Sequence, residues 1–208
     1  MTIQEIKKRT EELGERQWDD SAIRIRYEKL AKEGIPRKTL SKEEYLANKS
    51  QILERVQQRA EEYNYILKNC AQGTALALLE EFGLGNMDII KALTPFPGIG
   101  GTGGICGGIT GGLITFGLYF GSNNLLDFET AGTTIMHAQM FMASFEGEVG
   151  SLYCAKIQET IFGRNMDPGA CPENMEAFAA AKGFEKCGTA PGIGARLAAE
   201  FIIDGMKA

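Results

Sequence analysis

The sequence predicts an all-α protein: a helical bundle in which a glycine-rich loop leads into a buried central helix. Three observations carry this expectation. No stretch sustains the period-two alternation of a half-buried strand. The first 68 residues are dense in Glu, Lys, Arg and Gln, with Ile6, Leu13, Ile23, Ile25, Leu30 and Ala31 as intermittent apolar positions. Gly and Pro then punctuate the chain at Gly34-Ile35-Pro36 and at Pro95 and Pro97, where helices must stop.

The elements follow in order. Helices are predicted over 2–14 and 20–33, the second stopped by the Gly34-Ile35-Pro36 turn. Ser41 with Glu44 forms a capping-box pattern that opens a longer helix through Leu53, Val56, Ala60 and Tyr63. The charges along this helix are expected to form a solvated face. Ala71–Phe82 reads as a helix with a buried face closed by Gly83, its final Glu80 and Glu81 in water. A short helix over 86–93 precedes a run in which nine of the fifteen residues 98–112 are glycine. That run enters the apolar segment 113–120, and later helices are predicted over 129–144, 147–162, 173–182 and 191–206.

Of the 208 residues, 44% are hydrophobic and 24% charged, enough apolar material for a core without disulfide staples. The shift in composition divides the chain into a charged helical extension, 1–63, and a cysteine-containing domain, 64–208. The extension suits dimer contacts, so a homodimer is one expectation, or docking to a partner. The net charge of −5 argues against a nucleic-acid binder and against docking on an anionic membrane. Residues 1–91 balance 16 Lys+Arg against 16 Asp+Glu, so the deficit lies in 92–208, and no lysine or arginine occurs between Lys91 and Lys156. The uncharged run 92–126 is long enough for a membrane span. Its glycine content and missing basic flanks favour a buried core helix instead. The N-terminal stretch lacks the apolar core of a secretory signal, so the expected location is cytoplasmic and reducing.

In that setting five cysteines are more naturally ligands or redox thiols than structural disulfides. Gly98-Ile99-Gly100-Gly101-Thr102-Gly103 contains a G-x-G-x-x-G string, but no strand precedes it and no cation accompanies it, so a phosphate site is not expected. The glycines around Cys106 allow two readings: backbone N–H groups turned toward a thiolate, or close helix packing. No pair of cysteines forms C-x-x-C, which excludes zinc-ribbon and ferredoxin loops; a shared site has to be assembled from distant helices. His137 is the single histidine, a candidate proton donor or ligand against the plainer reading of a satisfied helix residue. Met136, Met140 and Met142 read as core filler. Tyr63 and Tyr65 read as packing that could also line an approach to Cys70.

Asn69-Cys70-Ala71-Gln72, Cys106-Gly107-Gly108-Ile109-Thr110-Gly111, Cys154 and Cys187 resemble the C-GCAxxG-C-C family of redox-active proteins, over about residues 64–204. Gly108 stands where the family has alanine, residues 1–63 fall outside the resemblance, and Cys171 is an extra thiol: a fifth ligand, a resolving thiol or a spectator. The resemblance implies redox activity and an iron–sulfur cluster, [2Fe–2S] or [4Fe–4S], held by Cys70, Cys106, Cys154 and Cys187. Gly104, Gly107 and Gly108 are then the candidates to turn backbone N–H groups toward it. The expected function is electron transfer to a redox partner protein or reduction of a small-molecule substrate. A metal-free thiol–disulfide oxidoreductase or redox sensor is the alternative, and a structural metal-binding subunit the third reading.

Overall fold

The structure is a computed structural model that describes residues 3–38 and 41–206; positions 1, 2, 39, 40, 207 and 208 of the expected helix and domain limits lie outside it. Among the described residues there is no strand, only one isolated bridge between Ile105 and Tyr153, so the all-α expectation holds. No described helix is long and apolar enough to cross a membrane.

The N-terminal half contains α1 (Ile3–Glu15), α2 (Asp20–Glu33), α3 (Lys42–Ala47), α4 (Lys49–Leu67), α5 (Cys70–Phe82) and α6 (Met87–Ala92). Ser41 and Glu44 do form the capping box, but the long helix they were expected to open is broken at Asn48 into α3 and α4. A single distorted turn, α7 (Gly98–Gly101), has Ile99 and Gly100 at positive φ and leads to α8 (Gly107–Phe120). Then come α9 (Phe128–Val149), α10 (Cys154–Phe162), α11 (Pro172–Ala180), α12 (Gly183–Lys186) and α13 (Thr189–Asp204). The predicted break near residue 145 is displaced. Gly147 stays helical in α9, and Gly150, in the left-handed region at φ 90°, ends the helix instead.

The centre is α5, buried at Ala71 and at every position from Gly73 to Phe82 and packed by α4, α8 and α13. α8 starts six residues earlier than the apolar segment suggests, with four glycines in its first turn and a half. These glycines form two packing edges one residue apart. On one edge, a Cβ at Gly111 would stand 2.6 Å from the Ala71 carbonyl oxygen of α5. On the other, a Cβ at Gly108 would stand 2.8 Å from the Ala190 carbonyl oxygen of α13, and one at Gly112 would strike Phe141 of α9 at 2.7 Å. Two helices, α5 and α13, thus close on α8 at backbone distance, where side-chain interdigitation would hold them farther apart, and the Phe141 ring of α9 fills the space over Gly112. The alanine expected at 108 from the family pattern has no room here.

The charged N-terminal helices are not a solvated shell. Ile6, Ile23, Leu30, Ile52 and Val56 join the same core as α5 and α13. Arg9 holds the buried Glu61 carboxylate at 2.7 and 2.9 Å, and Arg55 holds Glu81 at 2.7 and 2.9 Å. Glu80 accepts from the buried Tyr63 hydroxyl at 2.7 Å. Glu80 and Glu81 therefore lie buried rather than in water, because α4 lays Arg55 and Arg59 across the end of α5. Losing one partner of such a pair strands a buried charge.

The close approach gives a direct test. Gly111→Ala is expected to destabilise the protein by about 1–3 kcal/mol through overpacking, lowering Tm by several degrees. Gly132→Ala, on α9 with nothing within 4 Å, should raise stability by about 0.5–1 kcal/mol through helix propensity. Thermal unfolding of both variants decides; equal effects contradict the packing account.

Candidate redox site

Helix starts place three of the four family cysteines. Asn69 caps α5 by accepting from the Gln72 N–H at 3.0 Å, which makes Cys70 the first helical residue. Cys106 is the N-cap of α8, and Cys154 opens α10. Cys187 ends α12, its N–H donating to the Gly183 carbonyl at 2.9 Å. The glycine-rich loop is stitched to the approach of α10: the Cys106 N–H donates to the Leu152 carbonyl at 2.9 Å. In return, the Cys154 N–H donates to Gly104 at 2.7 Å and the Ala155 N–H to Gly103 at 3.1 Å. This local pairing brings sequence-distant cysteines into one region.

Cys70, Cys154 and Cys187 line a single cavity of about 380 Å³. Cys106 is buried outside that lining, and its thiol and that of Cys70 act on one another. A Cβ at Gly107 would overlap the Cys70 sulfur and lie 2.5 Å from the Ala71 nitrogen, so only glycine lets α8 begin here.

The electrostatics separate the four thiols. The Cys106 thiol donates to Cys70 and holds it below the ordinary thiol range against the opposing effect of burial; the N–H groups of Gly107, Cys70 and Ala71 add to the same direction. Cys106 moves the other way, kept protonated by that hydrogen bond, by burial and by the negative charge of its neighbours. Burial, then the charges of Cys70 and Asp167, push Cys154 up to about 12. Burial followed by Cys154, Cys70 and Asp167 raises Cys187 as well. Of the four thiols, Cys70 is thus the one whose surroundings favour the thiolate, while Cys106, Cys154 and Cys187 are shifted toward the protonated form.

Three further groups on the cavity carried no signal in the sequence motifs. Lys68 is on its lining, a cation that the uncharged run could not supply: it arrives from the C-terminal end of α4, upstream of that run. Its ammonium lies 4.3 Å over the Tyr65 ring and 5.2 Å over Phe184. Asp167 accepts from the N–H groups of Gly103 and Gly169 at 3.2 and 2.9 Å. Gln158 places its amide nitrogen 3.6 Å from the Cys154 sulfur. The adjacency Lys68-Asn69-Cys70 could have drawn attention to the lysine; nothing local marks Asp167 or Gln158.

The remaining candidates stand elsewhere. His137 stacks on Phe120 at 4.3 Å in a separate surface hollow. Cys171 is exposed at the N-cap of α11. Met136 and Met140 are half exposed on α9 rather than core filler. Tyr63 is bound to Arg26 and Glu80, and Tyr65 stacks on Trp18. Of the three glycines, Gly107 presents its N–H to Cys70, whereas the Gly104 N–H donates to the Gly98 carbonyl and Gly108 packs on α13.

A tetrahedral ion sits about 2.3 Å from each thiolate, and no group of three suitable donors is gathered this way among the described residues. Three sulfurs do face one space large enough for something wider than an ion, but the fourth is engaged with Cys70 behind the wall. As placed, the set fits a dithiol before a four-sulfur ligand shell.

A family model described as "Putative redox-active protein (C_GCAxxG_C_C)" matches residues 68–200, a span that includes Cys70, Cys106, Cys154 and Cys187. No curated protein and no solved structure matches the chain.

Asp167 raises Cys154, after burial and the charge of Cys70, and is not among the largest influences on Cys70. Removing its charge in Asp167→Asn should therefore lower the Cys154 pKa and increase its thiolate fraction at fixed pH. Alkylation of Cys154 at about pH 9 is expected to speed up several-fold, with Cys70 unaffected, as read by mass spectrometry of the modified peptides. An unchanged Cys154 rate contradicts the assignment.

Proposed function

The chain belongs to the C_GCAxxG_C_C family of redox-active proteins, and from that premise we propose that it works as a dithiol redox protein in which Cys70 and Cys106 cycle between thiols and a disulfide. The observation that carries this is the close approach of two helix starts: Cys106 caps α8 immediately before Gly107, and a Cβ at Gly107 would overlap the sulfur of Cys70, the first residue of α5.

The chemistry is thiol–disulfide exchange with a small or protein-borne disulfide as oxidant. The Cys70 thiolate attacks one sulfur of that disulfide; a new S–S bond forms, the old one breaks, and the leaving thiolate takes a proton from water. Cys106 then gives up its proton and attacks the Cys70 sulfur, which releases the second half as a thiol. The protein loses two electrons, the disulfide gains two, and two thiols leave. Burial of Cys106 keeps it protonated until Cys70 is no longer an anion, which orders the two steps. Cys154 and Cys187 remain protonated on the cavity wall.

The iron–sulfur cluster implied by the family resemblance is the second reading, favoured by three family cysteines facing one cavity with the fourth directly behind. Cys70, Cys106, Cys154 and Cys187 would hold such a cluster, which would supply one-electron transfer.

One preparation distinguishes the two. Protein purified anaerobically is assayed for iron and acid-labile sulfide, then for free thiols before and after mild oxidation. The dithiol account predicts negligible iron and sulfide and a loss of two of the five thiols, mapped to Cys70 and Cys106 and abolished by Cys106→Ser. Brown protein with stoichiometric iron and sulfide supports the cluster instead.

A further inference from the structure

We propose that Lys68 makes the mouth of the thiol cavity an anion subsite, so that the disulfides this protein reduces are small molecules carrying a carboxylate near the S–S bond; the inference rests on the dithiol reading above. Lys68 is the one lysine or arginine on the cavity lining among the described residues. Arg9, Arg16, Arg26, Arg55, Arg59 and Lys49 are all engaged by carboxylates within 4 Å, but no such ion pair forms at Lys68. Glu185 and Asp20 act on it only from farther away.

Its backbone is unusual as well. Lys68 ends α4 in the left-handed region at φ 54°, a position that glycine fills at lower cost. A lysine there aims its side chain over two aromatic faces, Tyr65 and Phe184, which hold the ammonium by cation–π attraction without neutralising it. Phe184 also lines the cavity, so the held charge sits beside the space that Cys70 faces.

The rest of the cavity narrows the class. A volume of about 380 Å³ lies in the range of small-molecule sites. Pro95, Pro168, Phe178 and Phe184 give apolar wall. The one acid on the lining, Asp167, accepts from two backbone N–H groups and bears on Cys154 and Cys187, so an incoming anion finds its single opposite charge on the lining at Lys68. The ligand that matches is an aliphatic body with a single carboxylate reaching the mouth while its sulfur reaches Cys70.

The test uses full-length protein with Cys171→Ser, so that the exposed thiol is silent. Rates of thiol release are measured with three disulfides of similar size: 3,3′-dithiodipropionate, bis(2-hydroxyethyl) disulfide and cystamine. The dianion is expected to react about tenfold faster than the neutral compound at low salt and the dication slowest, a spread that shrinks as salt rises. In Lys68→Met the dianion-to-neutral ratio should collapse to near one, whereas Lys68→Arg keeps it. Both rates in each ratio come from the same variant, so any change in Cys70 reactivity divides out. Equal ratios in the parent and Lys68→Met overturn the subsite alone. No reaction with any of the three overturns the dithiol reading and the subsite with it.

Discussion

The structure depends on one close approach: the start of α8 lies against the start of α5 with no side chain between them. Gly107 touches the Cys70 sulfur and Gly111 the Ala71 carbonyl, so the two helices meet at backbone distance. Because both N-termini point into the same place, their unpaired N–H groups and the favourable end of each helix dipole gather around a single sulfur. Packing and reactivity here have the same cause. A larger residue at 107 would separate the helices and also move away the donors that favour the Cys70 thiolate.

The N-terminal helices protect that arrangement. α4 runs along α5, and Arg55 and Arg59 neutralise the carboxylates that end α5, while Arg9 and Arg16 do the same for Glu61. α4 also delivers Lys68 to the cavity mouth at its own last turn. The charged segment thus serves as a clamp on the central helix and as the source of the one lysine or arginine that lines the thiol cavity among the described residues.

Much of the fold was legible in the sequence, for identifiable reasons. Asp20–Glu33 and Cys70–Phe82 are bounded by strong stop signals, Gly34 and Gly83, and those helices end where expected. The break at Asn48 was not legible, because the capping box marks a start and says nothing of where the helix fails. The displaced end of α9 turned on which of two nearby glycines takes positive φ, a choice made by tertiary packing. The glycine run had two candidate explanations, and its residues divide between them: Gly107 serves the sulfur, while Gly108, Gly111 and Gly112 serve helix packing. The burial of Glu80 and Glu81 and the roles of Lys68, Asp167 and Gln158 depend on contacts between segments far apart in the chain, which no local pattern records.

The most direct measurement is thiolate absorbance near 240 nm as a function of pH, in protein with Cys171→Ser and in the same protein with Cys106→Ala added. One thiolate should appear below the ordinary cysteine value of about 8.5, and its midpoint should move upward when Cys106 is lost. A first thiolate that appears only at or above the ordinary range, or a midpoint indifferent to Cys106, would contradict the account.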